Sequence, residues 1–280
     1  MKGGTPSVVL LTSAELPELA PDDQLLATAY RTAGWTVTVL PWQESPPQSD
    51  LAIVRSCWDY AEQPLAFLAA LDRIAERMPL WNPMATIRWN LDKRYLLELA
   101  GAGVQVPPTR VFTSAERPAL DALCDRLATD ELVIKPVVGA GGVDTWRMHR
   151  TDEHRWADLP EDRLWLAQPF LAEVLTAGEV SLTFLDGAYS HAVVKHAAAG
   201  EFRVQEEHGG VVAPWASSPA LIATATEAVA AIPHPWRYAR VDGIITAEGF
   251  QLMELELVEP ELFFRYHEGS ADRFVGLTRG

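Results

Sequence analysis

The sequence predicts a mixed α/β protein of two units, and three observations predict it. Strand and helix signals alternate through the first third, a glycine-rich loop follows an apolar strand at 132–143, and two strands with period-two alternation fall at 238–257. The 280 residues amount to about two domains at ~150 residues each, enough to bury a sizeable core. With 48% hydrophobic and 22% charged residues, the composition is that of an ordinary globular protein and not a disordered one. The formal charge of −15 argues against a nucleic-acid binder or an anionic-lipid binder, each of which needs a basic surface. No apolar run approaches the ~20 residues of a membrane span. Residues 1–6 show no signal-peptide pattern, so the expected location is the cytoplasm. Cys57 and Cys124 share no metal-knuckle spacing, and a small buried thiol is the better reading of Cys57.

In the first unit, 7–11 reads as a buried strand and 22–33 as an amphipathic helix, with Asp22 as N-cap and Gly34 as its stop. Residues 35–40 alternate at period two, 41–50 form a polar loop, 51–54 form a second buried strand, and a helix begins at Pro64. That order implies a small layered α/β unit. From Asn90 the pattern changes. A short helix at 92–100 and a helix at 118–127 precede a strand at 132–136 and the loop at 137–143. Strands follow at 164–168, 180–185 and 189–195, then a helix at 221–231 and the closing strands 238–246 and 251–257.

Only four of the 23 basic residues are lysines: Lys2, Lys93, Lys135 and Lys195. Codon usage alone can produce such a bias, yet a lysine in this chain can also mark a site that suits a compact ammonium. Lys135 ends an apolar strand, where an ammonium is costly to bury without an anion. Gly139, Gly141 and Gly142 follow, and their backbone N–H groups can approach a ligand closely because no Cβ intervenes. The pair reads either as a phosphate clamp or as a glycine turn beside a snorkelling lysine. It matches neither a Walker A loop nor a dinucleotide fingerprint.

Acidic residues dominate one face of the closing strands. Glu254 and Glu256 share a face, as do Arg240 and Asp242 on the preceding strand. An odd-numbered loop is expected to set Asp242 opposite Glu256, with Glu254 beside them. Three carboxylates so close call for a cation, and hard oxygen donors suit Mg²⁺; a solvated acidic face is the plain alternative. Lys195 and Arg203 add cations between the glycine loop and these strands. Arg55, Ser56, Trp58, Asp59 and Tyr60 follow a strand end, where α/β folds place ligands. They fit substrate contacts, or equally the packing of Trp58 and Tyr60 against the neighbouring unit. No Ser-His-Asp or Cys-His arrangement presents itself.

Together these residues resemble the ATP-grasp superfamily, in its glutathione-synthetase-like branch. The matching order is Trp89-Asn-Leu-Asp-Lys93, Val133-Ile-Lys-Pro136 with Gly139 to Gly142, Gln168-Pro-Phe-Leu171, Gly178-Glu179, Lys195, Arg203, Asp242 and Met253-Glu-Leu-Glu256. Arg55-Ser-Cys-Trp-Asp-Tyr60, Trp81-Asn-Pro83 and Glu259-Pro-Glu-Leu-Phe-Phe264 look like the subgroup of the D-cycloserine-forming cyclo-ligase. The resemblance implies an N-terminal Rossmann-like pre-ATP-grasp domain at 1–86 and a two-part ATP-grasp domain at 87–280. The latter would divide into a lid-bearing part at about 105–167 and a metal-binding part at 168–280.

It also implies roles. Lys93 and Lys135 would hold ATP phosphates under a lid of Gly139, Gly141 and Gly142. Gln168, Pro169, Phe170 and Leu171 would read adenine through their backbone, and Glu179 the ribose. Asp242, Glu254 and Glu256 would bind one or two Mg²⁺, with Mn²⁺ as a substitute. Lys195 and Arg203 would neutralise the transferring phosphoryl group. The implied chemistry is an ADP-forming carboxylate–amine ligation through an acyl phosphate, on a small amino-acid-like or peptide-like substrate, with an intramolecular cyclo-ligase as one form of it. The alternatives are a grasp-fold kinase and an ATP-binding domain without chemistry. The partners implied are small molecules, and homodimers are common among such enzymes. Glu256 and Ser181 depart from glutathione synthetase, which has Asn and Arg at these positions.

Overall fold

The computed structural model describes residues 4–113, 116–161 and 163–279, so Lys2 and the start of the 1–6 segment lie outside the described residues. Three sheets organise the chain. The first is parallel, in the order β2-β1-β3, from β1 (Ser7–Thr12), β2 (Thr36–Pro41) and β3 (Leu51–Val54). Alternation along β1 sends Val8 and Leu10 to one buried cluster and Val9 and Leu11 to another. Helix α1 (Pro21–Thr32) covers one face, and α2 (Pro64–Ala75) with α3 (Met84–Asn90) covers the other.

Asp22 is not the N-cap of α1. Ala20 holds that position with Pro21 at the first turn. Asp22 instead is buried and accepts hydrogen bonds from the backbone N–H groups of Phe264 (3.0 Å) and Arg265 (2.9 Å). That contact ties the C-terminal segment to the first sheet. Helix α8 (Ser270–Leu277) packs there too, burying Phe274 against Leu26 and Tyr30 in one cluster.

After α4 (Tyr95–Gly101) comes a four-stranded antiparallel sheet in the order β4-β7-β5-β6. It comprises β4 (Arg110–Thr113), β5 (Glu131–Pro136), β6 (Trp146–His149) and β7 (Leu164–Pro169), with α5 (Leu120–Arg126) and α6 (Glu153–Ala157) between them in sequence. The third sheet, β10-β9-β8-β11-β12, is antiparallel and contains β8 (Glu179–Leu185), β9 (Ala188–His196), β10 (Val211–Trp215), β11 (Tyr238–Thr246) and β12 (Gly249–Glu256). Helix α7 (Pro219–Ala230) buries Leu221, Ala225, Ala228 and Val229 in the cluster beneath it. Among the described residues, no helix is long and apolar enough to cross a membrane.

Candidate active site

A cavity of about 520 Å³, within the range of small-molecule sites, is lined by the second and third sheets and by the segments that follow β1 and β3. Lys135, at the end of β5, is 9% exposed and donates to the Met253 carbonyl at 3.3 Å. Among the described residues it makes no ion pair, and burial lowers its pKa against the pull of Glu254. Lys93 enters from the other side. Its N–H donates to Val137 O (2.7 Å), and its ammonium binds Gly139 O (2.6 Å) and Glu254 Oε1 (3.0 Å). Burial works against its charge, but Glu254 and Glu256 prevail and the pKa rises. Lys195 on β9 sits opposite Glu179 on β8, with Nζ 2.6 Å from Glu179 Oε1 and 3.6 Å from Asp242 Oδ2.

The acidic strands meet in a register other than the expected one. Asp242 lies opposite Glu254, and it is Arg240 that faces Glu256. Only two residues, 247 and 248, separate the paired Thr246 and Gly249, a loop that by itself would turn Asp242 to the wrong face. A bulge corrects this: the register shifts between Asp242 and Gly243, leaving Met253 as the extra residue on β12. Arg240 forks onto Asp242 (2.9, 3.0 and 2.7 Å) and reaches Glu256 Oε1 at 2.5 Å. Strand alternation placed Arg240 on the acidic face but gave it no role; it is the counter-ion of the group.

These pairings set the charges. Burial would raise the Asp242 carboxyl, but Arg240 and Lys195 hold it down to about 2. Burial together with Asp242 and Glu254 pushes Glu256 up to about 8 despite Arg240. Among the described residues, no three His, Cys, Asp or Glu side chains converge as a metal cage. The donor set still fits Mg²⁺, which ordinarily takes one or two carboxylates and completes its shell with phosphate oxygens and water. The cross-strand pair Asp242 and Glu254 offers two hard oxygen donors on one buried face, with Glu256 next along the strand.

The glycine loop borders the same cavity. His208 Nε2 lies 3.0 Å from the Gly141 carbonyl, and a Cβ on Gly142 would come within 3.1 Å of Gln205 Oε1. Arg203 lines the cavity while bonding Glu201 Oε2 at 2.7 Å; with backbone N–H groups, it takes the Glu201 carboxyl down to about 2. Phe170, Leu171, Val174, Val204, Ile244 and Met253 form an apolar slot of the same cavity, with the Arg147 guanidinium 3.9 Å from the Phe170 ring centre. Gln168 and Pro169 are not part of the lining; the Gln168 side chain is buried and donates to Thr109 Oγ1 (3.0 Å).

Of the five residues after β3, Trp58, Asp59 and Tyr60 line the cavity, and Arg55 and Ser56 do not. Both are fully buried on Asp23, with Arg55 Nε at 2.8 Å and Ser56 Oγ at 2.7 Å. The expectation that they touch substrate is therefore corrected. Their partner comes from α1, 32 and 33 residues away in sequence, which no local pattern shows. Arg55 also donates to Pro260 O at 2.6 Å, so it positions the loop that follows β12.

Residues 8–82 match the profile of the N-terminal domain of D-cycloserine synthetase DcsG. The cycloserine biosynthesis protein DcsG of Streptomyces lavendulae is 31% identical over 295 residues, covering 96% of each chain. The crystal structure of D-cycloserine synthetase DcsG, 32% identical, superposes with a TM-score of 0.84 over 97% of this chain and 98% of that one. D-alanine–D-alanine ligase from Bacillus anthracis is 14% identical, covers 97% of this chain and 93% of its own, and gives a TM-score of 0.67. The ATP-grasp ligase PsnB, in its complex with a minimal precursor, Mg and ADP, is 15% identical with a TM-score of 0.64 over 98% of each chain. The last two share the fold.

Proposed function

The chain belongs to the DcsG family of ATP-grasp ligases, and on that premise we propose that it is an ADP-forming ligase joining a carboxylate to a nitrogen within one small amino-acid-like substrate. The observation that carries this reading is the convergence of Lys93, Lys135 and Lys195, from separate elements, on one cavity bordered by a glycine loop. Lys135, with no carboxylate of its own, is the cation best placed to take a phosphate oxygen. Lys93 would hold a second one, and the N–H groups of Gly139, Gly141 and Gly142 would cover the phosphates. The apolar slot suits an adenine ring along Phe170 and Leu171, with Glu179 near the ribose hydroxyls. Asp242, Glu254 and Glu256 would hold one or two Mg²⁺, or Mn²⁺ in its place. Bound there, the metal would draw charge from the transferring phosphoryl oxygens.

The remaining work is positioning and charge neutralisation, which these side chains supply without a protein nucleophile. A substrate carboxylate oxygen would attack the γ-phosphorus of ATP, releasing ADP and leaving an acyl phosphate. The substrate nitrogen would then attack the carbonyl carbon, form the C–N bond, lose a proton and expel phosphate. Lys195 and Arg203 would offset the charge on the acyl phosphate. This reading places a pre-ATP-grasp domain at 1–86 and the ATP-grasp domain at 87–280.

β-Aminooxy-D-alanine, the acid formed by opening the ring amide of D-cycloserine, tests the reaction. Incubated with Mg·ATP and the enzyme, it should give one ADP and one phosphate per ring closed. ADP with a stable phosphorylated product would make the protein a kinase. Tight ATP binding with no turnover on this or other amino-acid carboxylates would make it a binding domain.

A further inference from the structure

We propose that Glu259 anchors a primary ammonium group of the substrate, against the indole of Trp58 and the hydroxyl of Tyr60. The proposal rests on the reading above only in that the substrate enters this cavity. Four acidic residues of the described chain are buried: Asp22, Asp23, Asp242 and Glu259. The first three have cationic partners, Arg265, Arg55 and Arg240 respectively. Glu259 has none within ion-pair distance among the described residues, although it is 7% exposed and lines the cavity. Its side chain bonds the Tyr60 hydroxyl, while the strongest ammonium influence on it, Lys93, is already committed to Glu254. Burial accordingly pushes its carboxyl up to about 7, with Lys93 and the Tyr60 hydroxyl pulling the other way.

A buried carboxylate without a counter-charge is costly, and a bound cation is what offsets the cost. The backbone that presents it is held from three sides. Trp58 Nε1 donates to Glu259 O (3.3 Å), the Tyr238 hydroxyl to Val258 O (3.0 Å) and Arg55 to Pro260 O (2.6 Å). Such pinning keeps the carboxylate in place before any ligand arrives. Glu254 adds negative field at this carboxylate, and Glu254 and Glu256 do so at Tyr60, so the position favours a cation. The half-buried indole of Trp58 adds an aromatic surface of the kind that attracts ammonium groups. A substrate whose ammonium sits at Glu259 can direct its carboxylate toward Lys195 and Arg203, so the cavity selects an amino acid over a simple acid.

The test uses D-cycloserine, which carries a primary amine, and isoxazolidin-3-one, the same ring without it. Calorimetry in the presence of Mg·ADP measures both, with wild type, Glu259→Gln and Glu259→Asp. Wild type should prefer D-cycloserine by tenfold or more. Glu259→Gln should reduce the preference below threefold with unchanged Mg·ADP affinity, which also certifies the fold, and Glu259→Asp should restore part of it. Retained preference in Glu259→Gln overturns the assignment and leaves the ligase reading intact. Equal binding of the two rings by wild type overturns it as well. Mg·ADP binding with no binding of either ring overturns both the assignment and the cyclo-ligase reading.

Discussion

The two halves of the cavity carry opposite unmatched charges. The half built on β5, β8, β9, β11 and β12 pairs its acids with Lys93, Lys195 and Arg240, and leaves the Lys135 ammonium with a carbonyl alone. The half built on the loops after β3 and β12 leaves the Glu259 carboxylate with a hydroxyl alone. One end therefore suits phosphate and the other an amine, as a ligase activating an amino-acid carboxylate requires. The halves differ in support too. Strand pairing fixes the first, whereas side chains reaching in from α1, β11 and Arg55 just after β3 pin the second.

Removing the acids of the strand-borne half should have the largest effect. Glu254→Gln with Glu256→Gln should lower Mg-dependent ADP release by about a thousandfold or more, with the melting temperature shifted by only a few degrees. Full activity in this variant would remove both residues from the metal site. Arg240→Ala should strike stability, because it leaves Asp242 buried with only the more distant Lys195. A loss of about 3–5 kcal/mol in urea unfolding is expected, and a change under about 1 kcal/mol would show that Arg240 is dispensable to the group.

Acid should loosen the loop-borne half. His191 Nε2 lies 2.8 Å from Leu262 O, and burial lowers its pKa from 6.5 to about 4, against that carbonyl and with His267 adding to the fall. The unfolded chain thus takes up a proton more readily than the fold. Stability is fully present above pH 6.5 and declines as pH falls toward 4, by about 3 kcal/mol in all. His191→Gln should flatten this part of the stability–pH curve; an unchanged slope would assign it to other groups. Gly178→Ala should have the smallest effect on stability. Gly178 has φ +79°, and a Cβ there would meet Lys195 O at 2.5 Å. A loss of about 1–3 kcal/mol is expected, together with weaker nucleotide binding as Glu179 and Lys195 are displaced. Normal affinity would show that this backbone yields without moving them.

The strand-borne half was largely legible in the sequence, because period-two alternation assigns a face to each residue of β11 and β12 without knowledge of the fold. It assigned the faces of Asp242, Glu254 and Glu256 and missed their register, since a bulge at Met253 leaves the polar–apolar alternation unbroken. The loop-borne half was read less well. Arg55 stands at a strand end, where ligands gather, yet its partner Asp23 lies on α1 and takes it out of reach. Glu259 stood in a visible motif, but its lack of a counter-ion is a tertiary fact. Helix α8 went unpredicted for a related reason: its apolar face makes sense only against α1.

The central claim is that Lys135 faces a nucleotide phosphate. Thermal unfolding with ATP, with and without Mg²⁺, for wild type and Lys135→Ala tests it most directly. Ligand at a hundred times its Kd stabilises the native state by about 2.7 kcal/mol. The account predicts a Mg-dependent upward shift in wild type that Lys135→Ala abolishes. An equal shift in both proteins would contradict it.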